Sequence, residues 1–190
     1  MKRQYFFESY DWKDNDGLSN LKYCPACGTK CEKKEESLRV RPVCPKCGFV
    51  HYKNPYPGVV VAIEKEGKIL LGKRAPGSFQ AGKWCLPGGF VEFDDNFVDS
   101  AIREVKEETD LDVEINAILS VSSNFLSSDL HALVVSLRAT VIGGTPRPGD
   151  DIVELQWFDI AGQLPEMAFS ADTYLIEFLN ENTADVISLV

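Results

Sequence analysis

No apolar run in this 190-residue chain is long enough to cross a bilayer. The longest compact stretch, GVVVAI at 58–63, falls far short of the roughly 20 residues a spanning helix needs. No secretory leader is expected either. Lys2 and Arg3 begin the chain as one would, but Glu8 and Asp11 interrupt the segment where its apolar core should run. Positive charge is in deficit: 20 Lys and Arg stand against 29 Asp and Glu, a formal charge of −9. An acidic surface of that kind argues against broad binding to nucleic-acid phosphates or anionic lipid. There is no internal repeat and no low-complexity tract. These absences predict a soluble, cytoplasmic protein with no membrane contact. With 44% apolar residues it has enough to pack a core, and its length suits one ordinary domain plus a small accessory piece.

What is present begins with cysteine, at positions 24, 27, 31, 44, 47 and 85. Four of the six form CPAC at 24–27 and CPKC at 44–47, sixteen residues apart, each followed by a glycine. Two short Cys-x-x-Cys turns offer four thiolates, the set a tetrahedral zinc ion prefers. Gly28 and Gly48 permit the left-handed turn that aims backbone N–H groups at the sulfurs. Cys24, Cys27, Cys44 and Cys47 are therefore predicted to hold a structural Zn²⁺. Cys31 and His51 lie near enough to compete as ligands, an alternative that two complete pairs disfavour. Cys85 reads as a small buried apolar residue.

The chain divides on composition. Residues 1–20 are polar with scattered aromatics and form a tail or a short helix. Residues 21–52 make the zinc ribbon, basic where the rest is acidic, with seven Lys and Arg against three Glu. Such a knob can touch an anionic substrate or partner, or simply be a solvated surface. Residues 53–57, KNPYP, are an extended connector, because each proline disfavours helix at the residue before it. Residues 58–180 form the main domain, and 181–190 a C-terminal tail. In the main domain GVVVAIE and EGKILLGKR predict a hairpin, and LDVEINAILSV, HALVVSLRATV and IVELQWFDI further strands. SADTYLIEFLNE predicts an amphipathic helix capped by Ser170 or Asp172. Strands with helices between and after them imply an α/β fold with a mixed sheet.

DDNFVDSAIREVKEETDL predicts the stronger helix, with Asn96 or Asp95 as cap. Val98, Ala101, Ile102 and Val105 fall on one stripe, expected to face the sheet. Glu104, Glu107 and Glu108 share another arc, and Arg103 can pair with Glu107 at i,i+4. Stacking like charges costs a helix only about 0.2–0.5 kcal/mol, so on its own this row reads as a solvated acidic face. WCLPGGFVEFDD, just upstream, changes that reading. A Gly-Gly turn lets backbone come close to an ion, and hard divalent cations take carboxylate and carbonyl oxygens.

Gly89, five residues, Asp95, seven residues, REVKEET, then Asp110 and Leu111: this spacing resembles the Nudix box, Gly-x5-Glu-x7-Arg-Glu-(apolar)-x-Glu-Glu-x-Gly-(apolar). The resemblance implies a Nudix α/β/α sandwich with a mixed sheet, here preceded by a zinc ribbon. It departs at two places. Asp95 stands where the family has Glu, one methylene shorter. Asp110 stands where it has Gly, at a position where Asp tolerates the left-handed conformation at some cost.

The resemblance further implies Mg²⁺- or Mn²⁺-dependent hydrolysis of the pyrophosphate in a nucleoside diphosphate linked to another moiety. By motif position Glu104, Glu107 and Glu108 are the metal ligands, with a carbonyl of Gly88 or Gly89 completing the shell. Arg103 orients a glutamate or is a surface ion pair, and the general base is Glu104 or an acid on a loop. Ribbon-bearing relatives include NADH pyrophosphatases, whose Ser-Gln-Pro-Trp-Pro-Phe-Pro array is absent here: the region reads SVSSNFLSSDLHAL. That favours ADP-ribose, FAD or a nucleotide sugar, with NAD(H) as the alternative. Phe79, Trp84 and Phe125 are candidates for stacking on a base, and Lys73 and Arg74 for meeting phosphate. A homodimer is expected from the resemblance alone. A non-catalytic, nucleotide-sensing module is the reading from a different class.

Overall fold

The computed structural model describes residues 5–7, 21–181 and 187–188. The chain opens with β1 (Tyr5–Phe7) and a ribbon of β2 (Glu32–Glu36) and β3 (Arg39–Val43), paired antiparallel from Glu32↔Val43 to Glu36↔Arg39. The main domain follows as β4 (Tyr56–Lys65), β5 (Lys68–Arg74), β6 (Trp84–Cys85), β7 (Gly88–Phe90), α1 (Phe97–Thr109), β8 (Leu111–Phe125), β9 (His131–Gly144), β10 (Ile152–Asp159), α2 (Ser170–Glu181) and β11 (Ile187–Ser188). Strand order in its sheet is β1-β8-β9-β4-β5-β10, with β7 added to β4, β6 to β5 and β11 to β8. β4 runs parallel to β9 and β1 parallel to β8; the remaining pairs are antiparallel.

Alternation along β4 builds the two layers. Val59, Val61 and Ile63 point to one face and pack with Ala101 and Val105 of α1. Val60 and Ala62 point to the other and pack with Leu175, Ile176 and Leu179 of α2. β5 divides in the same way, Leu70 toward α1 and Ile69 and Leu71 toward α2. The result is the expected α/β/α sandwich.

The β4–β5 hairpin is what positions the site. Glu66 and Gly67 both take positive φ, 53° and 75°, the primed two-residue turn that suits the twist of paired strands. The two strands pair only at Glu64↔Ile69 and Lys65↔Lys68. Beyond that they part. β7 takes the freed edge of β4, from Gly58↔Phe90 to Val60↔Gly88, and β6 takes β5 at Gly72↔Cys85 and Lys73↔Trp84. Pro87 spans the split, its carbonyl accepting from Val61 N–H at 2.8 Å. The segment 84–90 thus runs through a gap in the sheet and emerges against α1.

Several expectations need correction. Tyr5–Phe7, placed in a tail or short helix, form a strand beside Ser123–Phe125; the rest of 1–20 lies outside the described residues. Ile187–Ser188, placed in the C-terminal tail, pair with Ala117–Ile118. Ile102 does not share the buried stripe: it is 37% exposed, and Glu108 lies inside instead. Asp172 does not precede α2 as a cap would. It is buried within α2, where its carboxylate accepts from Leu86 N–H at 3.0 Å and ties α2 to the segment crossing the gap. Among the described residues no helix is long and apolar enough to cross a membrane.

Candidate active site

Helix α1 is set at both ends by its own sequence. Asn96 caps it, its side-chain oxygen accepting from the N–H groups of Val98 and Asp99 at 3.0 Å each. Asp110 ends it in the left-handed conformation at φ 56°, its N–H donating to the Lys106 carbonyl at 3.0 Å. The Asp that stands where the family has Gly does the expected job, with its carboxylate held by Lys106 at 3.1 Å.

Arg103 gathers the acids. Its Nε meets Asp95 at 3.2 Å, so the shorter acid still closes that link. Its Nη1 donates to Glu104 at 2.9 Å and Glu107 at 3.1 Å, and its Nη2 to the Phe90 carbonyl at 3.4 Å. Burial opposes the guanidinium charge, but Asp95 and then Glu104 hold Arg103 firmly protonated. Ser100 hydroxyl adds a bond to Asp95 at 3.3 Å.

The two glycines meet the acids differently. A Cβ on Gly89 would stand 2.4–2.5 Å from the Glu104 carboxylate, a distance real carbons do not tolerate. Only the bare Cα lets Glu104 lie there. At Gly88 the amide N–H donates to Glu108 Oε2 at 2.9 Å. Glu108 is 2% exposed, inside the molecule, while half the Glu107 side chain remains in solvent. Burial pushes Glu108 up to about 9; the Gly88 N–H opposes, and Asp151 and Glu104 add to the rise. Burial also raises Glu104, against Arg103 and with Glu107 and Asp150.

Loop 145–151 closes the far end of the row. Gly149 N–H donates to the Glu108 carbonyl at 3.1 Å and Arg147 N–H to the Thr109 carbonyl at 2.9 Å. This brings Asp150 toward Glu104 and Asp151 toward Glu108. Sequence reasoning anticipated a loop acid without naming it; no spacing links residue 150 to residue 104. Asp151 is itself paired with Arg74 at 2.6 Å.

The remaining candidates separate by environment. Trp84 is buried in the core against Phe158, ring centroids 5.0 Å apart, and Lys73 lies 5.7 Å over its ring while pairing with Glu154 at 3.3 Å. Arg74 is largely buried and committed to Asp151 and to the Phe79 carbonyl at 2.6 Å. Phe125 stacks on His131 at 3.9 Å. Phe79 alone of the three aromatics is exposed, facing Phe169. Tyr56 and Phe90, which the sequence did not single out, are both exposed beside Gly89, with centroids 5.6 Å apart.

In the ribbon the Sγ atoms of Cys24, Cys27, Cys44 and Cys47 lie within 4.8 Å of one another, the one such convergence of possible metal donors among the described residues. Cys24–Cys47 and Cys27–Cys47 are 3.6 Å apart and Cys27–Cys44 3.5 Å. Four sulfurs about 2.3 Å from a tetrahedral zinc would be about 3.8 Å apart, so the cluster fits that ion. Gly28 and Gly48 take φ 68° and 76°, and the two knuckles repeat each other: Cys24 N–H donates to Thr29 O, and Cys44 N–H to Phe49 O, at 2.8 Å each. Thr29 lowers Cys27 to about 6. Cys31 stands outside the cluster, and Cys85 is buried.

The acid row suits a hard divalent cation by its donor chemistry. Its donors are all oxygen, as Mg²⁺ or Mn²⁺ requires. Two of the three carboxylates are withdrawn from water, where an anion needs a neighbouring cation, and a glycine is required beneath one of them. The residues fit. The row is looser than the cysteine cluster, since Arg103 lies across Glu104 and Glu107.

Comparison with known proteins identifies the family. The NUDIX domain family matches residues 54–178, and the zinc-ribbon family described as Nudix N-terminal matches 22–53. An ADP-ribose pyrophosphatase of Methanocaldococcus jannaschii is 36% identical over 129 residues, covering 67% of this chain and 75% of its own. A NAD-capped RNA hydrolase NudC of Vibrio atlanticus is 30% identical over 168 residues, 87% of this chain but 58% of its own. A crystal structure of a NUDIX hydrolase from Nitrosomonas europaea superposes with a TM-score of 0.74 at 30% identity, covering 86% of this chain and 93% of that one. With its acid row seated on a diglycine and its four-cysteine ribbon in front, this chain belongs to the Nudix hydrolase family.

Proposed function

We propose that this chain hydrolyses the diphosphate bridge of a nucleoside diphosphate joined to a second moiety, giving a nucleoside monophosphate and a phosphorylated product. ADP-ribose is the favoured substrate, with FAD and nucleotide sugars beside it. The observation that carries the reading is the seating of Glu104 on Gly89 and of Glu108 on the Gly88 N–H. Glu104, Glu107 and Glu108, with a carbonyl of Gly88 or Gly89, would hold Mg²⁺ or Mn²⁺. Such a cation neutralises the phosphate oxygens and lowers the pKa of bound water.

The protein's own contributions follow from its geometry. Arg103 fixes the rotamers of Glu104 and Glu107 and ties them to Asp95 and the Phe90 carbonyl. Glu104 or Asp150 accepts the proton of the attacking water, which keeps the base on the solvent side of buried Glu108. The likeness to the Methanocaldococcus jannaschii enzyme supports ADP-ribose. The longer alignment with NudC, a protein of which this chain spans 58%, supports NAD(H) or a NAD-capped end as the second reading.

The test is direct: the full chain with MgCl₂ and ADP-ribose, FAD, NADH, UDP-glucose or NAD-capped RNA, products resolved by chromatography, with EDTA as control. Release of AMP from ADP-ribose, abolished by EDTA, is expected. Cleavage of NADH or the capped RNA alone selects the second reading. Tight binding of every ligand without turnover overturns both.

A further inference from the structure

Asp150 takes the left-handed conformation at φ 48°, which Asp tolerates better than most residues but still at a cost. Its neighbours hold it there from both sides. Behind it, Gly149 lies so close to α1 that a Cβ would stand 2.4 Å from the Glu107 carbonyl oxygen, and its N–H donates to the Glu108 carbonyl at 3.1 Å. Ahead of it, Ile152 N–H turns back to the Gly149 carbonyl at 3.0 Å, and Ala75 N–H donates to the Asp151 carbonyl at 2.7 Å. β10 then begins with a bulge: Ile152 pairs with Arg74 and Glu154 with Lys73, so Val153 is an extra residue. Bulges bend a strand and re-aim the side chains beside them. The side chain before this one is Asp151, and it meets Arg74.

Arg74 is the fixed half of that contact. Its N–H donates to the Lys83 carbonyl and its own carbonyl accepts from Gly82 N–H, both at 2.9 Å. Its side chain is 13% exposed, and each nitrogen has a partner inside the chain: Nε the Phe79 carbonyl at 2.6 Å, Nη1 Cys85 Sγ at 3.9 Å, and Nη2 Asp151 Oδ2 at 2.6 Å. A guanidinium so occupied is not free to meet a phosphate, the role its sequence position suggested. A short charge-assisted bond withdrawn from water also holds more firmly than a surface ion pair. It joins the loop after β5 to loop 145–151, close enough to Glu108 for both partners to act on its charge.

We propose that Arg74 and Asp151 are a clasp that seats loop 145–151 on the end of α1 and so places Asp150 beside Glu104, making Arg74 a positioning residue and not a phosphate ligand. This rests on diphosphate hydrolysis as the activity and names what orders its site. Two anchors then hold the loop. The amides of Arg147 and Gly149 bind the last carbonyls of α1, and Asp151 binds Arg74. With the second anchor gone, the cost of the left-handed Asp150 is relieved by letting the loop lift, and the row loses an acid from its edge.

The experiment compares wild type with Arg74→Met, Asp151→Asn, the double variant and Glu154→Gln in the full chain. Steady-state hydrolysis of ADP-ribose with MgCl₂ is measured beside amide hydrogen exchange of the protein alone. Arg74→Met and Asp151→Asn should each lower kcat about 10- to 100-fold with KM within about twofold of wild type. The double variant should lose no more than the weaker single, because the pair acts as one unit. Exchange at the Arg147 and Gly149 amides should quicken roughly tenfold or more, while amides inside α1 and β5 keep wild-type rates. Glu154→Gln, which breaks the neighbouring exposed pair with Lys73, should move neither readout. A raised KM in Arg74→Met with Asp151→Asn at wild-type values makes Arg74 a phosphate ligand and overturns the clasp. So do additive losses, unchanged kcat, unchanged loop exchange, or an equal effect of Glu154→Gln. If Arg74→Met does not fold, the shape-conserving Asp151→Asn decides alone. Absence of hydrolysis by wild type overturns the hydrolytic reading instead, and loop exchange then still decides the clasp.

Discussion

Gly89→Ala adds one methyl group, and its consequences can be worked from the coordinates. The new carbon would stand 2.4 Å from Glu104 Cδ and 2.5 Å from both carboxylate oxygens. Ordinary contact needs a further ångström. Glu104 cannot retreat freely, because Arg103 holds it at 2.9 Å and its side chain is mostly enclosed. Either the carboxylate moves by about 1 Å or β7 shifts away from α1. Displacing a reacting group by that much costs about 100-fold in rate, and overpacking costs about 1–3 kcal/mol in stability. Gly88→Ala differs in kind: its Cβ would meet the Val59 carbonyl oxygen at 2.2 Å, backbone on backbone, within a strand pair. Gly89→Ala should therefore fold, melt a few degrees lower and hydrolyse ADP-ribose about 100-fold more slowly, whereas Gly88→Ala should fail to accumulate as folded protein. Steady-state kinetics and a thermal melt suffice. A Gly89→Ala enzyme within twofold of wild-type kcat would refute the claim that Glu104 must lie on a bare Cα.

Three further outcomes follow from other parts of the molecule. Arg103→Lys keeps the charge but cannot reach Asp95, Glu104, Glu107 and the Phe90 carbonyl together; kcat should fall about 10- to 100-fold with little change in melting temperature, and an unchanged kcat would make Arg103 a surface ion pair. Elemental analysis should find about one zinc per chain, and Cys44→Ser should lose it and collapse the ribbon's amide resonances while those of the main domain persist. His131 is held below its usual pKa by burial, with Nε2 enclosed and unpartnered among the described residues. Its depressed folded pKa means stability present above about pH 6.5 and lost as pH falls. His131→Phe keeps the ring against Phe125 and should melt with a flatter dependence between pH 7.5 and 5.5 than wild type; identical slopes would contradict this.

Much of the fold was legible because it is locally encoded. The β-branched run at 58–63 and the cap at Asn96 announce their elements, and two Cys-x-x-Cys turns announce a metal site before any contact is known. What was not legible depends on long-range pairing. The parting of β4 from β5, which opens the gap for Gly88 and Gly89, leaves no local trace. Tyr5–Phe7 and Ile187–Ser188 are too short to read as strands and exist because β8 offers them an edge. Helical periodicity placed Ile102 inward and Glu108 outward; the structure exposes Ile102 and buries Glu108. A hydrophobic pattern cannot foresee a buried carboxylate. Asp150 and Asp151 reach the acid row through loop placement alone.

The central claim is that Glu104 and Glu108, seated on Gly89 and Gly88, hold the divalent cation that diphosphate hydrolysis requires. The most direct measurement is Mn²⁺ binding by electron paramagnetic resonance, paired with single-turnover hydrolysis of ADP-ribose, in wild type and Glu108→Gln. Glu108→Gln should lose tight Mn²⁺ binding and hydrolysis together, by orders of magnitude, while its circular dichroism stays that of wild type. A folded Glu108→Gln protein that binds Mn²⁺ and turns over as wild type does would contradict the account.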